Sequence, residues 1–152
     1  MPVPINYLAV FGAAAASMVL GAIWYGPLFS TRWVELSGMT PETIAAAKAK
    51  GMGKSYALAA IGSLVMAYVL AHSLVFASSY LMLDSSYANG SGTSAAINAG
   101  LMVGFWNWLG FIAPVTLGAV LWEGKPWKLW LLNNAYYLLS LLVMGMILAL
   151  WP

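Results

Sequence analysis

Four long apolar runs, separated by short polar connections, account for most of the chain. Their cores contain no Asp, Glu, Lys or Arg, and each run exceeds the roughly 20 residues that a helix needs to cross a bilayer. The pattern predicts four membrane-spanning helices at about 5–26, 55–83, 95–122 and 127–151. We therefore expect an all-α fold, an integral membrane four-helix bundle, formed by residues 1–152 as a single polytopic domain.

The connection between the first two runs carries signals for two short helices. One helix is predicted around residues 31–37 and is broken by Gly38. Thr40 then caps a second helix, with Pro41 in its first turn and Gly51 beyond its end. The alanines and lysines of the second helix suit a position on lipid headgroups. We expect short interfacial helices in this loop, and a docking surface or a lid is the alternative function for them.

The basic residues are sorted along the chain. All six lysines and arginines lie in two stretches, 32–54 and 125–128. Because cytoplasmic loops of membrane proteins collect Lys and Arg, both stretches are predicted to be cytoplasmic. Both termini and the loop at 84–94 then lie on the opposite side, an N-out/C-out arrangement. We expect a multi-pass protein of the bacterial inner (cytoplasmic) membrane.

Composition excludes several classes of function. The chain is 62% hydrophobic and 7% charged, whereas a soluble domain is about 25% charged. Its net charge of +2 comes from residues that flank the predicted spans, so we expect membrane lipid as a partner and no nucleic acid. The chain has no cysteine, which excludes disulfides, thiolate ligands and thiol nucleophiles.

His72 is the most distinctive polar residue inside a predicted span. An ionisable side chain within a membrane is a functional hypothesis by default. Tyr68 lies one helical turn before His72 on the same face, and residue counting places Asn107, next to Trp108, at a similar depth. These four residues form our hypothetical ligand site or polar intramembrane site. A neutral histidine that makes only structural hydrogen bonds is the alternative.

Other polar residues are expected to hold the last two spans together. Asn133, Tyr137 and Ser140 share one face of the fourth span, and depth counting places Asn133 level with Thr116 of the third. A buried hydrogen bond between these spans would contribute roughly 0.6–2 kcal/mol. We interpret the four residues as structural polar packing, with a polar pathway as the alternative.

Small residues spaced four apart mark faces for close helix packing, because lipid provides no hydrophobic drive for helices to associate. The first two spans carry such stripes, at Ala9, Ala13, Ser17 and Gly21 and at Ser55, Ala59, Ser63, Ala67 and Ala71. The third span contains a GxxxG pair, Gly100 and Gly104. A projection at about 100° per residue places Asn107, Phe111 and Pro114 on the same face as this pair, together with Gly118.

The sequence offers little support for catalysis or metal binding. The chain has one histidine and no carboxylate in the span cores, which is too few ligands for a metal or haem site within one chain. It also lacks paired carboxylates and a plausible Ser-His-Asp relay. We therefore expect no metal, no cofactor and no enzymatic activity.

Several segments resemble a known family. The segments INYLAV at 5–10 and GAIWYGPLF at 21–29 resemble the opening of a family of small bacterial and fungal membrane proteins, the domain of unknown function 1761. The segments WLGF at 108–111 and EGKPW at 123–127 are similar to its second half. The Trp-Tyr-x-Pro element at 24–27 is the most specific part. The resemblance implies a four-span membrane fold and brings no established activity, cofactor or catalytic residue.

These observations favour a non-catalytic membrane protein, either a structural or accessory subunit of a larger membrane complex or a homo-oligomer. One alternative is a small channel or carrier for a neutral solute, suggested by the uncharged polar faces. Another is a binder of a lipid-soluble ligand that uses Phe105, Trp106 and Trp108.

Overall fold

The computed structural model describes residues 4–80 and 92–151, with side chains described up to Ala77 in the first range. Within these residues, four helical stretches are long and apolar enough to cross a membrane: Tyr7–Leu28, Gly53–Ala77, Gly92–Leu121 and Trp127–Leu150. The prediction of an all-α protein with four membrane-spanning helices is confirmed. The last three residues of the second predicted span, and residues 84–91 of the predicted outer loop, lie outside the described residues.

The first span begins at a side-chain cap and ends at a change of helix type. In α1 (Tyr7–Ile23), the side-chain oxygen of Asn6 accepts two backbone N–H groups of the first turn, which otherwise lack partners. The helix continues as a π-helical segment, π1 (Trp24–Leu28). Gly26 in this segment has non-helical φ and ψ angles of −97° and −105°, and Pro27 follows it without an N–H group. The regular span therefore ends at π1.

Two short helices fill the connection to the second span, as predicted. They are α2 (Ser30–Ser37) and α3 (Pro41–Ala49). Gly38 ends α2 in the left-handed conformation, with φ at 69°, and Gly51 follows α3 with φ at 79°. Thr40 caps α3 by accepting a hydrogen bond from a backbone N–H of its first turn. The boundaries of both helices are therefore set by local sequence.

The third span is interrupted, whereas the second and fourth are regular. The remaining elements are α4 (Gly53–Tyr80), α5 (Gly92–Asn107), the π-helical segment π2 (Trp108–Ile112), α6 (Ala113–Thr116), α7 (Gly118–Leu121) and α8 (Trp127–Leu150). Within π2, the backbone N–H of Ala113 donates to the carbonyl of Trp108, five residues earlier. Gly124, with φ at 68°, lies in the turn that leads to α8.

The π2 segment explains why one sequence prediction is wrong. A regular helix would place Phe111 and Pro114 on the same face as Gly100 and Gly104. In the structure both glycines are buried, but Phe111 is 70% exposed and Pro114 is also exposed. One π turn contains an extra residue, so it rotates every later side chain away from the face that an α-helix would give it.

The closest helix packing joins α5 to α8. An added Cβ at Gly100 would overlap the carbonyl group of Gly145, and the reverse substitution would overlap the carbonyl of Gly100. At Gly104, an added Cβ would lie 2.6 Å from the carbonyl oxygen of Leu141. The backbones of α5 and α8 therefore touch along two turns, which only residues without a side chain allow.

The small-residue stripes of the first two spans are buried in the same core. Ala9 and Ala13 of α1, together with Ala67 and Ala71 of α4, belong to one cluster of buried residues. The N-terminal part of the second stripe, at Ser55 and Ala59, is exposed. α8 and α4 each contact all three other long helices, and the most extensive packing is that of α8 against α5 and α1.

Candidate functional site

His72 and Tyr68 lie on the side of α4 that faces away from the bundle. The ring nitrogen Nδ1 of His72 lies 2.9 Å from the backbone carbonyl oxygen of Tyr68. The two rings also meet edge to face, with centroids 4.4 Å apart. Ile61 and Phe76 are exposed on the same side. We refer to the face formed by Ile61, Tyr68, His72 and Phe76 as the outer face of α4.

The other two members of the hypothetical site lie in different surroundings. The Asn107 Nδ2 group donates to the carbonyl of Val103 in its own helix, at 2.9 Å. The Trp108 Nε1 group donates to the Oδ1 atom of Asn134, at 3.2 Å. Within the described residues, no hydrogen bond joins His72 to Asn107 or Trp108. The structure therefore divides the four residues among three places and does not assemble them into one site.

A hydrogen-bonded network around Asn134 joins the third span to the fourth. Asn134 is 2% exposed, and its Nδ2 group donates to the Thr116 hydroxyl at 3.0 Å and to the Trp130 carbonyl at 3.1 Å. Trp130 Nε1 also donates to the Thr116 hydroxyl, at 3.1 Å, and that hydroxyl donates to the carbonyl of Ile112, at 2.7 Å. With Trp108 donating to Oδ1, every polar group of the Asn134 amide has a partner.

This network corrects one expectation and reveals a residue that sequence reasoning missed. Depth counting paired Thr116 with Asn133, whereas the structure pairs Thr116 with Asn134. Asn133 instead accepts a hydrogen bond from the Tyr25 hydroxyl, at 3.0 Å. Adjacent helix positions differ by about 100°, so the two amides point to different neighbours. Two adjacent asparagines in an apolar run were the available signal, but depth alone does not decide between them.

The two remaining residues expected in polar packing, Ser140 and Tyr137, lie in different surroundings. The Ser17 and Ser140 hydroxyls are 2.6 Å apart, and both residues are 0% exposed. This hydrogen bond joins α1 to α8 where both helices are closest to the core. Tyr137 is half-buried, and its ring lies 5.5 Å from that of Tyr136. The hydrogen bonds of Ser140 and Asn134 therefore join helices.

Aromatic rings from π1 and α8 pack around Tyr136. The Tyr136 ring lies 5.1 Å from that of Tyr25 and 6.5 Å from that of Trp24. Its hydroxyl donates to the Ser17 carbonyl at 3.4 Å, and it crosses Gly21 so closely that an added Cβ there would lie 2.9 Å from the hydroxyl. The Trp24 Nε1 group is buried and lacks a hydrogen-bond partner among the described residues. Ring packing therefore holds this cluster together.

A groove opens between α4 and the α5–α8 pair. Its volume is about 430 Å³. It is lined by Gly62, Val65, Met66, Val69, Leu70, Asn107, Ile112 and Leu141. Phe105, Trp106 and Trp108, which the sequence suggested for a lipid-soluble ligand, are not among the lining residues. Trp106 is 59% exposed on the surface of α5.

The described residues contain no group of three His, Cys, Asp or Glu side chains that is able to hold a metal ion.

Comparison with known proteins identifies the family of this chain. A family model for "Protein of unknown function (DUF1761)" matches residues 8–149. The chain belongs to the DUF1761 family. No curated protein and no solved structure matches the chain.

Three of the four segments that resemble DUF1761 contain irregular backbone of this protein, whereas INYLAV at 5–10 forms the regular start of α1. The Trp-Tyr-x-Pro element at 24–27 lies in π1, and the WLGF segment at 108–111 lies in π2. The EGKPW segment at 123–127 contains the turn at Gly124. π-helical segments are rare and occur often at functional sites. In this DUF1761 protein, π1 positions the rings of Trp24 and Tyr25 against Tyr136. The π2 segment positions Trp108 for its hydrogen bond to Asn134 and forms one side of the groove.

Proposed function

We propose that this DUF1761 protein is a non-catalytic component of a membrane assembly, either a homo-oligomer or an accessory subunit. One observation carries the proposal: the outer face of α4 presents the exposed Tyr68 and the half-buried His72 on the side of a membrane-spanning helix that faces away from the bundle. Polar side chains in membranes almost always face protein or a water-filled cavity. A partner helix that packs on this face removes the polar pair from lipid.

The hydrogen bond of His72 defines what the partner offers. A backbone carbonyl oxygen only accepts hydrogen bonds, so Nδ1 of His72 carries the hydrogen that reaches Tyr68. In the neutral ring, Nε2 is then a free acceptor within the described residues. The Tyr68 hydroxyl adds a group that both donates and accepts. A partner helix must therefore supply a hydrogen-bond donor to Nε2 of His72. The Tyr68 hydroxyl of a second copy is such a donor.

The arrangement of the other polar groups disfavours a channel or carrier. Ser17 pairs with Ser140, and the amide of Asn134 is fully hydrogen-bonded. A solute pathway needs polar groups that exchange partners with the solute. The paired groups support a role in holding helices together, which suits a structural or accessory component better than a transporter.

For location and orientation, we propose the bacterial inner membrane with the α2–α3 connection in the cytoplasm. The basis is the clustering of Lys and Arg in two connections. Because the chain has no cysteine, single cysteines report the side of the membrane without background. In intact cells, a membrane-impermeant maleimide is expected to label Pro4→Cys and to label Glu42→Cys only after the membrane is opened. The opposite pattern contradicts this orientation.

Single cysteines also test the assembly. Ile61 on the outer face of α4 and Ile23 on α1 are matched, since they are 56% and 44% exposed and both lie in the half of the bundle next to the α2–α3 connection. In native membranes, a photoreactive group attached to the cysteine is expected to cross-link Ile61→Cys to a second copy or to a companion protein, but not Ile23→Cys. His72→Leu in the Ile61→Cys background is expected to reduce the cross-linking.

Native mass spectrometry of protein extracted gently from the membrane separates the two forms of the proposal. A homo-oligomer gives a multiple of 16.2 kDa, whereas an accessory subunit gives a larger mass that includes a different chain. A lone monomer, together with equal cross-linking at the two isoleucine positions, contradicts both forms.

A further inference from the structure

The groove between α4 and the α5–α8 pair lies near the mid-depth of the membrane-spanning helices. Gly62, Met66 and Leu70 line it from the middle of the second span, and Asn107 and Ile112 line it from the middle of the third. All the lining side chains except Asn107 are apolar. An amide is therefore present at a depth where lipid chains offer no hydrogen-bond partner.

Chemistry identifies which atom of the Asn107 amide is free. The atom 2.9 Å from the Val103 carbonyl oxygen must be Nδ2, because the carbonyl accepts and only the amide nitrogen donates. Its partner atom Oδ1 has no donor among the described residues. An amide oxygen that faces an apolar groove without a donor is costly in the interior of a membrane, because lipid chains cannot replace the missing hydrogen bond. A single polar side chain also offers too few partners for an ordered water, which needs two to four.

We propose that this groove binds a lipid-soluble molecule that carries a hydroxyl group, with the hydroxyl donating to Oδ1 of Asn107. The volume of about 430 Å³ falls within the roughly 300–1,000 Å³ of small-molecule sites. The apolar lining accepts the hydrocarbon body, and Gly62 provides space along α4, since nothing lies within 4 Å of an added Cβ there. A plain acyl chain fills the same space but leaves Oδ1 without a donor.

A photoreactive alcohol tests this inference in proteoliposomes of the full-length protein. The probe is hexadecanol with a diazirine in its chain, and mass spectrometry locates the labelled residues. Labelling is expected at groove residues such as Val65 and Val69. Unlabelled hexadecanol is expected to compete, whereas hexadecyl methyl ether, which cannot donate, is not. Equal competition by both compounds means that the groove holds any lipid chain, and it overturns the proposal.

Matched variants identify the hydrogen bond. Asn107→Leu is expected to reduce groove labelling by roughly 3- to 30-fold, the effect of one hydrogen bond in a membrane. Asn98→Leu, at an exposed asparagine of the same helix, is expected to leave labelling unchanged. Gly62→Leu fills the groove without meeting other atoms at its Cβ and is expected to abolish labelling.

Unchanged labelling in Asn107→Leu or in Gly62→Leu contradicts the proposal. If Asn107→Leu does not fold, Gly62→Leu and the ether competition still decide it. Cross-linking at Ile61→Cys measures assembly separately, so failure of the groove proposal is distinguishable from failure of the proposed function.

Discussion

The glycine contact between α5 and α8 gives the sharpest test of the fold. An alanine Cβ at Gly100 falls 2.5 Å from the carbonyl carbon of Gly145, closer still to its oxygen, and 2.9 Å from the backbone nitrogen of Met146. Cβ atoms essentially never approach other atoms within 3.0 Å, and ordinary contact begins at 3.4 Å. Because the obstructing atoms are backbone, no side-chain rotation relieves the overlap. The two helices must separate by about 1 Å, which forfeits a quarter to a half of the dispersion energy of the atoms in contact.

Two opposing effects determine how much Gly100→Ala changes the free energy of unfolding. Overpacking of a close contact costs about 1–3 kcal/mol. Replacing glycine by alanine within a helix contributes up to about 1 kcal/mol in the opposite direction. Gly62→Ala isolates the second effect, since nothing lies within 4 Å of the added Cβ. We expect Gly100→Ala to have a free energy of unfolding about 1–3 kcal/mol lower than Gly62→Ala.

The assay is reversible unfolding in mixed micelles, followed by circular dichroism, with both variants measured under identical conditions. Gly145→Ala is expected to behave like Gly100→Ala, because the close approach is mutual. If Gly100→Ala and Gly62→Ala change stability by the same amount, α5 and α8 are not in backbone contact, and the reasoning is refuted.

Three further outcomes are expected. A double-mutant cycle of Ser17→Ala and Ser140→Ala in the same unfolding assay should give a coupling of about 0.6–2 kcal/mol, and a coupling of zero contradicts the buried hydrogen bond. Asn134→Leu should destabilise more than Asn133→Leu, by about 1–3 kcal/mol, because it leaves several buried partners unpaired; equal effects contradict the network. Thr40 holds the pKa of Glu42 below its ordinary value through a side-chain hydrogen bond, reinforced by a backbone one, so Thr40→Ala should raise that pKa. With Thr40 present, the lowered pKa favours the folded α3 helix above the unfolded pKa of Glu42, and this contribution is lost as the pH falls through the folded pKa. NMR titration measures the pKa of Glu42 in both forms, and an unchanged titration in Thr40→Ala contradicts the contact.

Several features of the fold were predictable because their causes are local. Each span is a run of apolar residues long enough for the bilayer, and this property does not depend on the neighbouring helices. The ends of α2 and α3 follow from Gly38, Thr40 and Gly51, whose effects act within a few residues. The glycines at 100 and 104 predicted a close helix contact, but only the structure shows that their partners are Gly145 and Leu141.

The candidate site was predictable only in its residue types. Polar residues in the spans were recognisable, but their grouping depended on helix rotation. The π2 segment turned Phe111 outward, and the choice between Asn133 and Asn134 depended on which amide faces the third span. His72, Asn107 and Trp108 were expected together because of similar depth, yet they contact different elements.

The sequence by itself determined the number of spans, the short connecting helices and the family of this protein, because hydrophobic length, capping residues and family segments are properties of contiguous stretches. The tertiary structure decided which polar groups pair, where the groove opens and which face of α4 is left outside. These features depend on how each helix is rotated about its axis and on how closely helices that are distant in the chain approach each other. The two π-helical segments change both, and a constant 100° per residue does not predict that change.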